Sequence, residues 1–269
     1  MQDWPIGIFD SGLGGLTVVK EVMNHLPYES IIYFGDTARV PYGNKSKQTV
    51  TKFSAQIIRF LESKGVKAII IACNTVSSNS IEDLRGMFPH IHIEGVVEPG
   101  VKMALEKTQT GRIGIIGTEA TIRSNKYPSL IQESNPKTRV FSRPCPLFVP
   151  LVEDNWGLHP VTRMIAQEYL VPLLNEGIDT LILGCTHYPI LSHVIQDVVG
   201  KDITLVNPAQ EAAYKIGEVL QSQNRLALGE TSPDYRFYVS DHTAQFEGMA
   251  KEFLNRSISN VEKIDIEAY

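Results

Sequence analysis

Two cysteines in matching settings carry most of the chemistry legible in this 269-residue chain. Cys185 lies in TLILGCTHYP, Thr180 to Pro189, where an apolar run ends in a small residue and empties into Thr186 and His187. Cys73 lies in AIIIACNTVSS, Ala68 to Ser78, on the same plan, with Asn74 and Thr75 after the sulfur. A lone cysteine ending an apolar strand is usually a small buried hydrophobe, which is the reading for Cys145 between Pro144 and Pro146. For the other two, the polar residues that follow would be a poor choice for packing alone.

Three chemistries could use such a pair. A zinc site wants three or four ligands at short spacing, and only Cys185 and His187 are near each other in sequence. A thiol-nucleophile hydrolase needs one cysteine and one histidine, which leaves the second cysteine idle. A two-base proton transfer needs both, one thiolate removing a proton from carbon while a thiol on the other face delivers one. Only the third scheme uses the duplication. A free thiol has a pKa of about 8.5 and only its thiolate is a good base, so each sulfur needs a neighbour. Asp10 and His187 are the candidates by position, His187 provided that Gly184 and Pro189 turn the chain; Glu153 is one acid among 30.

Ser11, Asn74, Thr75 and Thr118 also stand at strand ends. Backbone N–H groups exposed there favour a carboxylate or phosphate, so a small anionic ligand is expected, although each residue could serve only as a helix cap. SGLGG after Asp10 is not a dinucleotide turn, because Thr17 stands where the third glycine is needed.

Composition narrows the classes. A net charge of -5 without a run of Lys or Arg argues against a nucleic acid as main partner, since phosphates require a basic face. No apolar stretch approaches the roughly 20 residues of a membrane span, and MQDWPIG lacks the basic start and apolar core of a secretory signal. A cytoplasmic chain without membrane contact is expected. Three widely spaced cysteines suit free thiols rather than a disulfide framework.

The elements that must hold these residues alternate. Strands are expected over PIGIFD, SIIYFGD, KAIIIAC and IHIEGVV, then over RIGIIG, TRVFS, DTLILGC and DITLV, with YRFYVSD and KIDI in the tail. Helices are expected over LTVVKEVMNHL, from a Ser46 cap to Lys64, over VTRMIAQEYLVPLLNEG despite Pro172, and over AQEAAYKIGEVLQSQ. NRLALGETSPD reads as a linker, and Pro41 and Gly43 leave TARVPYGNKS as a loop able to reach over a site. The near-continuous apolar strands suit parallel sheets covered on both faces. The offset of Ile113 from Ile6 agrees within a few residues with that of Cys185 from Cys73, which argues for an internal repeat. The fold class is therefore α/β, with two similar doubly wound domains, mostly parallel sheets, and the site in the cleft between them. The boundaries expected are 1–97 with 208–269 for the first domain and 98–207 for the second.

GIFDSGLGGLTV, YFGDTARVPYG, IACNTVSS, GVVEPG, IGTEATIRS, CPLFVPLVE and LGCTHYPIL, in this order over about residues 6 to 210, resemble the motifs of glutamate racemases in the aspartate/glutamate racemase superfamily. The resemblance implies interconversion of L- and D-glutamate without cofactor or metal, supplying D-glutamate for peptidoglycan. It makes Cys73 and Cys185 the acid/base pair, Cys73 taking the α-proton of D-glutamate and Cys185 that of L-glutamate. Asp10 would assist Cys73, and His187 with Glu153 would assist Cys185. Asp10, Ser11, Pro41, Tyr42, Gly43, Asn74, Thr75, Thr118, Thr186 and His187 match substrate-binding positions. Homodimers are common in the family, so a homodimer is expected. An aspartate racemase is the nearest rival, but tends to carry a glutamate where His187 stands. A two-domain protein that binds an acidic amino acid without turnover would explain the hydroxyl and amide groups but not the paired thiols, and a zinc-dependent hydrolase is the third alternative.

Overall fold

The structure, a computed structural model, describes residues 2–229, 232–254, 256–258 and 260–269. The first half runs β1 (Ile6–Asp10), α1 (Leu16–His25), β2 (Ile31–Gly35), a 3-10 turn (Tyr42–Asn44), α2 (Lys47–Ser63), β3 (Ala68–Ile71), α3 (Asn74–Asn79), α4 (Ile81–Met87), β4 (His92–Gly95) and α5 (Val97–Lys107). The second runs β5 (Arg112–Gly117), α6 (Glu119–Arg123), α7 (Lys126–Ser134), β6 (Arg139–Pro144), α8 (Phe148–Glu153), α9 (Pro160–Asn175), β7 (Thr180–Gly184), a 3-10 turn (Tyr188–Leu191), α10 (Ser192–Val199) and β8 (Thr204–Val206). α11 (Pro208–Ser222), β9 (Tyr235–Val239), α12 (Thr243–Leu254) and β10 (Val261–Lys263) complete the chain.

One sheet has the order β10-β9-β2-β1-β3-β4 and the other β6-β5-β7-β8. The described strand pairs are parallel in both. The expected repeat is visible here, because β2-β1-β3-β4 and β6-β5-β7-β8 follow the same path. Strands β9 and β10 extend the first sheet, so the chain after the second sheet returns to the first.

Alternation along each strand covers both faces with helices. Ile6, Ile8 and Ile70 face a cluster that includes Leu16 and Val19 of α1 and Ile216 of α11. Phe9, Ile69 and Ile71 face Ile57, Phe60 and Leu61 of α2. In the second sheet Leu181 and Leu183 meet Leu170 of α9 and Ile195 of α10, while Ile113, Ile115 and Ile182 meet Val101 of α5 and Ile131 of α7. In both sheets the path reverses direction beside the first strand, between β1 and β3 and between β5 and β7. A crevice opens at such switch points, outside the carboxyl ends of the strands.

Some expected boundaries move. The fourth strand stops at Gly95 and Val97 already opens α5, because Pro99 in a first turn costs no intrahelical bond. The last strand is Val261–Lys263 rather than KIDI; Asp265 leaves the sheet to cap a 3-10 turn, accepting from Glu267 N at 3.2 Å. α9 does run through Pro172, on its exposed side. Within the expected linker 224–234, residues 230 and 231 lie outside the described residues. Among the described residues no helix is long and apolar enough to cross a membrane.

Candidate active site

Four strand ends supply the site. β1 ends in Asp10, β3 leads into Cys73, β5 into Thr118 and β7 into Cys185. Cys73 leaves its strand as the residue before α3, so Asn74 and Thr75 form the first turn of that helix. Thr118 caps α6, its hydroxyl accepting from Thr121 N at 3.2 Å, and it also faces Thr75 across the cleft, hydroxyl to hydroxyl at 3.0 Å. Capping and a place in the site are thus both true of this residue.

After Cys185 the chain turns as expected, Tyr188 N donating to Cys185 O at 3.1 Å. The turn sets His187 Nδ1 3.9 Å from Cys185 Sγ and its Nε2 2.9 Å from Glu153 Oε1 at the end of α8. The two halves meet closely here. A methyl group on Gly14, in the turn after β1, would collide with Thr186 Oγ1 and His187 Nδ1, and Thr17 Oγ1 donates to Thr186 O at 3.2 Å.

A cavity of about 480 Å³ opens between the halves, lined by Cys73, Cys185, Ser11, Pro41, Tyr42, Gly43, Asn74, Thr75, Thr118, Glu153, Thr186 and His187. Every candidate from the sequence reaches it except Asp10, which is wholly buried beneath the wall. Asp10 Oδ2 accepts from Gly12 N at 3.0 Å, whereas Oδ1 is buried without a hydrogen-bond partner. Tyr42 reaches the cavity, but its hydroxyl donates to Asp36, which also accepts from Arg39 Nε at 2.7 Å and Ser240 Oγ at 2.8 Å. The loop is held by a buried polar network that takes up the tyrosine hydroxyl.

Gly12, Val40, Asn44, Glu119, Pro146, Val149 and Pro150 complete the lining and are not among the candidates from the sequence. Three of them lie in CPLFVPLVE, but they carry no reactive group to attract notice. A groove of about 610 Å³ along α2 and α4, lined by Lys47, Lys52, Arg59, Asp83 and Met87 among others, holds neither cysteine, and its Lys47 and Asp83 are paired with each other at 2.9 Å.

Burial is the largest influence on the Cys73 thiol and, with the nearby Asp10 carboxylate, pushes its pKa up to about 12. Burial likewise raises Asp10, opposed by the charge of His187 and by N–H donors from Gly12, Gly15 and Ser11. For His187 burial acts downward, but hydrogen bonds to Cys185 and Glu153 outweigh it and raise the pKa to about 10. The charge of Cys185 adds to the rise at Cys73. Cys73 is thus a proton donor at neutral pH, and Cys185 lies beside an imidazolium. Among the described residues no cluster of three or more His, Cys, Asp or Glu side chains is arranged to hold a metal ion.

The chain is similar to known proteins over nearly its whole length. The family described as Asp/Glu/Hydantoin racemase matches residues 16–216. The glutamate racemase of Syntrophus aciditrophicus (strain SB) is 48% identical over 262 residues, 97% of either chain. That of Geobacter metallireducens is 45% identical over 263 residues, 98% of this chain and 97% of the relative. The crystal structure of Francisella tularensis glutamate racemase in complex with D-glutamate superimposes with a TM-score of 0.94 at 39% identity, covering 100% of both chains.

Proposed function

The chain belongs to the Asp/Glu/Hydantoin racemase family, and from that membership we propose that Cys73 and Cys185 are the two acid/base groups of its reaction. The activity is cofactor-independent interconversion of L- and D-glutamate, the isomerase step that supplies D-glutamate for peptidoglycan. The observation that carries the assignment of residues is the pair of sulfurs at equivalent strand ends of two repeated sheets, lining one cavity.

From L-glutamate, the Cys185 thiolate takes the α-proton; the C–H bond breaks and its electron pair passes into the adjacent carboxylate as an enolate-like dianion. The Cys73 thiol then protonates the opposite face. The proton count is unchanged, with a thiol now at Cys185 and a thiolate at Cys73. From D-glutamate the roles reverse. An α-proton beside a carboxylate is weakly acidic, so fixed donors in a water-poor cleft must stabilise the dianion. Thr75, Thr118, Ser11 and Thr186 supply such donors in this reading, Asn74 holds a carboxylate equally in substrate and dianion, and the Pro41 to Gly43 segment covers them. Asp10 holds Cys73 protonated, while Glu153 holds the imidazolium of His187 beside Cys185. The domains are 1–97 with 208–269, and 98–207, a division supported by sheet membership. A cytoplasmic location and a homodimer belong to the same reading; a light-scattering mass of one chain would remove the dimer.

The test is circular dichroism of metal-free protein with L-glutamate in deuterated water, while proton NMR follows the α-hydrogen. Ellipticity should decay to zero as solvent deuterium enters the α-position. Decay with aspartate alone would keep the chemistry and change the substrate, and binding without exchange would refute the reading.

A further inference from the structure

Tyr127 lies outside every sequence motif that points to chemistry, yet it touches the neighbours of both sulfurs. On α7 it is 1% exposed and packs among apolar side chains that include Val97, Ile113 and Ile182. Its hydroxyl donates to Asn74 Oδ1 at 2.7 Å. Its ring lies against Gly184, where an added methyl group would sit 3.5 Å from Tyr127 Cε2. Asn74 follows Cys73 and Gly184 precedes Cys185, so one side chain spans the two catalytic strand ends.

A carboxamide has an acceptor end and a donor end. A buried hydroxyl needs an acceptor, and Asn74 Oδ1 is the acceptor of Tyr127 among the described residues. Burial, with the Cys185 charge adding to it, raises the Tyr127 pKa, so this hydroxyl keeps its proton. With Oδ1 committed, Asn74 Nδ2 is turned the other way. Asn74 lines the cavity, and Nδ2 is not among the buried unpartnered atoms.

We propose that Tyr127 is a positioning residue of this site: it locks the Asn74 carboxamide with its N–H groups toward the cleft, where they donate to a carboxylate of glutamate. This rests on the reading of the cleft as the racemase site. Without the lock the amide can swing its oxygen toward the carboxylate, which turns a donor into a repulsive acceptor.

Tyr127→Phe removes the hydroxyl and keeps the ring. KM for both enantiomers should rise about tenfold, the scale of one hydrogen bond, with kcat changed less than about threefold, because the amide binds ground and transition states alike. In an Asn74→Ala background, the same substitution should leave KM where Asn74→Ala put it. An unchanged KM in Tyr127→Phe, or a full loss that persists without the Asn74 amide, overturns the proposal. A measurement on the unmodified chain covers the case of a poorly folded variant. The side-chain N–H₂ resonances that vanish in Asn74→Ala should shift when wild type is saturated with D-glutamate, and resonances that do not move overturn the lock. Wild-type protein that binds glutamate without racemising it would overturn the functional reading instead, before any variant is compared.

Discussion

Cys73 and Cys185 occupy equivalent strand ends in unequal surroundings, and the inequality has kinetic consequences. Replacing either with alanine should abolish racemisation, and full activity in either variant would refute two-base transfer. The thiol of Cys73, pushed up to about 12 by burial and Asp10, holds its proton in the resting site. On the proposed assignment D-glutamate, which needs Cys73 as thiolate, therefore also binds unproductively to the resting form. Unproductive binding lowers kcat and KM together. Because enantiomers have equal free energy, kcat/KM must coincide for both at every pH. Steady-state kinetics should thus give lower kcat and lower KM from D-glutamate by one common factor; equal values from both enantiomers would contradict the asymmetry. Glu153 can be tested through His187, whose folded pKa is raised to about 10 from an ordinary 6.5. A raised pKa contributes stability that is fully present below the unfolded value and is lost as pH rises through the folded one. Glu153→Gln should melt below wild type most clearly below about pH 6.5, and the curves should converge above about pH 10. A gap that widens with pH would refute the assigned pair.

At the level of elements, the site depends on how β5 and β7 lie together just before Thr118 and Cys185. Gly117 and Gly184 are partners in that ladder. A methyl group at Gly184 would stand 2.6 Å from Ile116 O, a backbone atom of the neighbouring strand that cannot step aside. Gly184→Ala is expected to cost about 1–3 kcal/mol by overpacking and to displace Cys185. Urea unfolding should show the loss of stability and kcat should fall with it. Wild-type stability and kcat would mean that the two strands can separate freely at this point.

Across the whole molecule, the two sheets share one apolar cluster. Ile6 and Ile70 of the first belong to the same packed group as Leu181 and Leu183 of the second, with Ala212 and Ile216 of α11. Two units joined through a common core should unfold together. Calorimetry should show one transition whose calorimetric and van't Hoff enthalpies agree, and two resolved transitions would show that each unit folds alone. Hydrogen bonds also tie the halves at the cleft, Thr17 to Thr186 O at 3.2 Å and Tyr127 to Asn74 at 2.7 Å.

Reactive groups and periodic strands are local properties, so they were legible before folding. The paired cysteine segments, the turn that returns His187 and the repeat in strand order all follow from residue type and from where an apolar run stops. Short helices such as α4 and α8 span too few residues for a helical period to show, whereas the helix after Thr118 was announced by its cap, and the end of the fourth strand was hidden because Pro99 is tolerated in a helix's first turn. Asp10 stands at its strand end as expected, but its burial beneath the cavity wall depends on the turn that brings Gly12 and Gly15 against it. Tyr42 carries a visible hydroxyl, which the fold turns toward Asp36. Tyr127 stands 53 residues from Asn74, in a segment with no chemical signature. Sequence alone determined which side chains can exchange a proton with carbon, because that capacity belongs to the residue. Only the tertiary structure decided which of them face the same space and which way each donor points, because those depend on contacts between segments far apart in the chain.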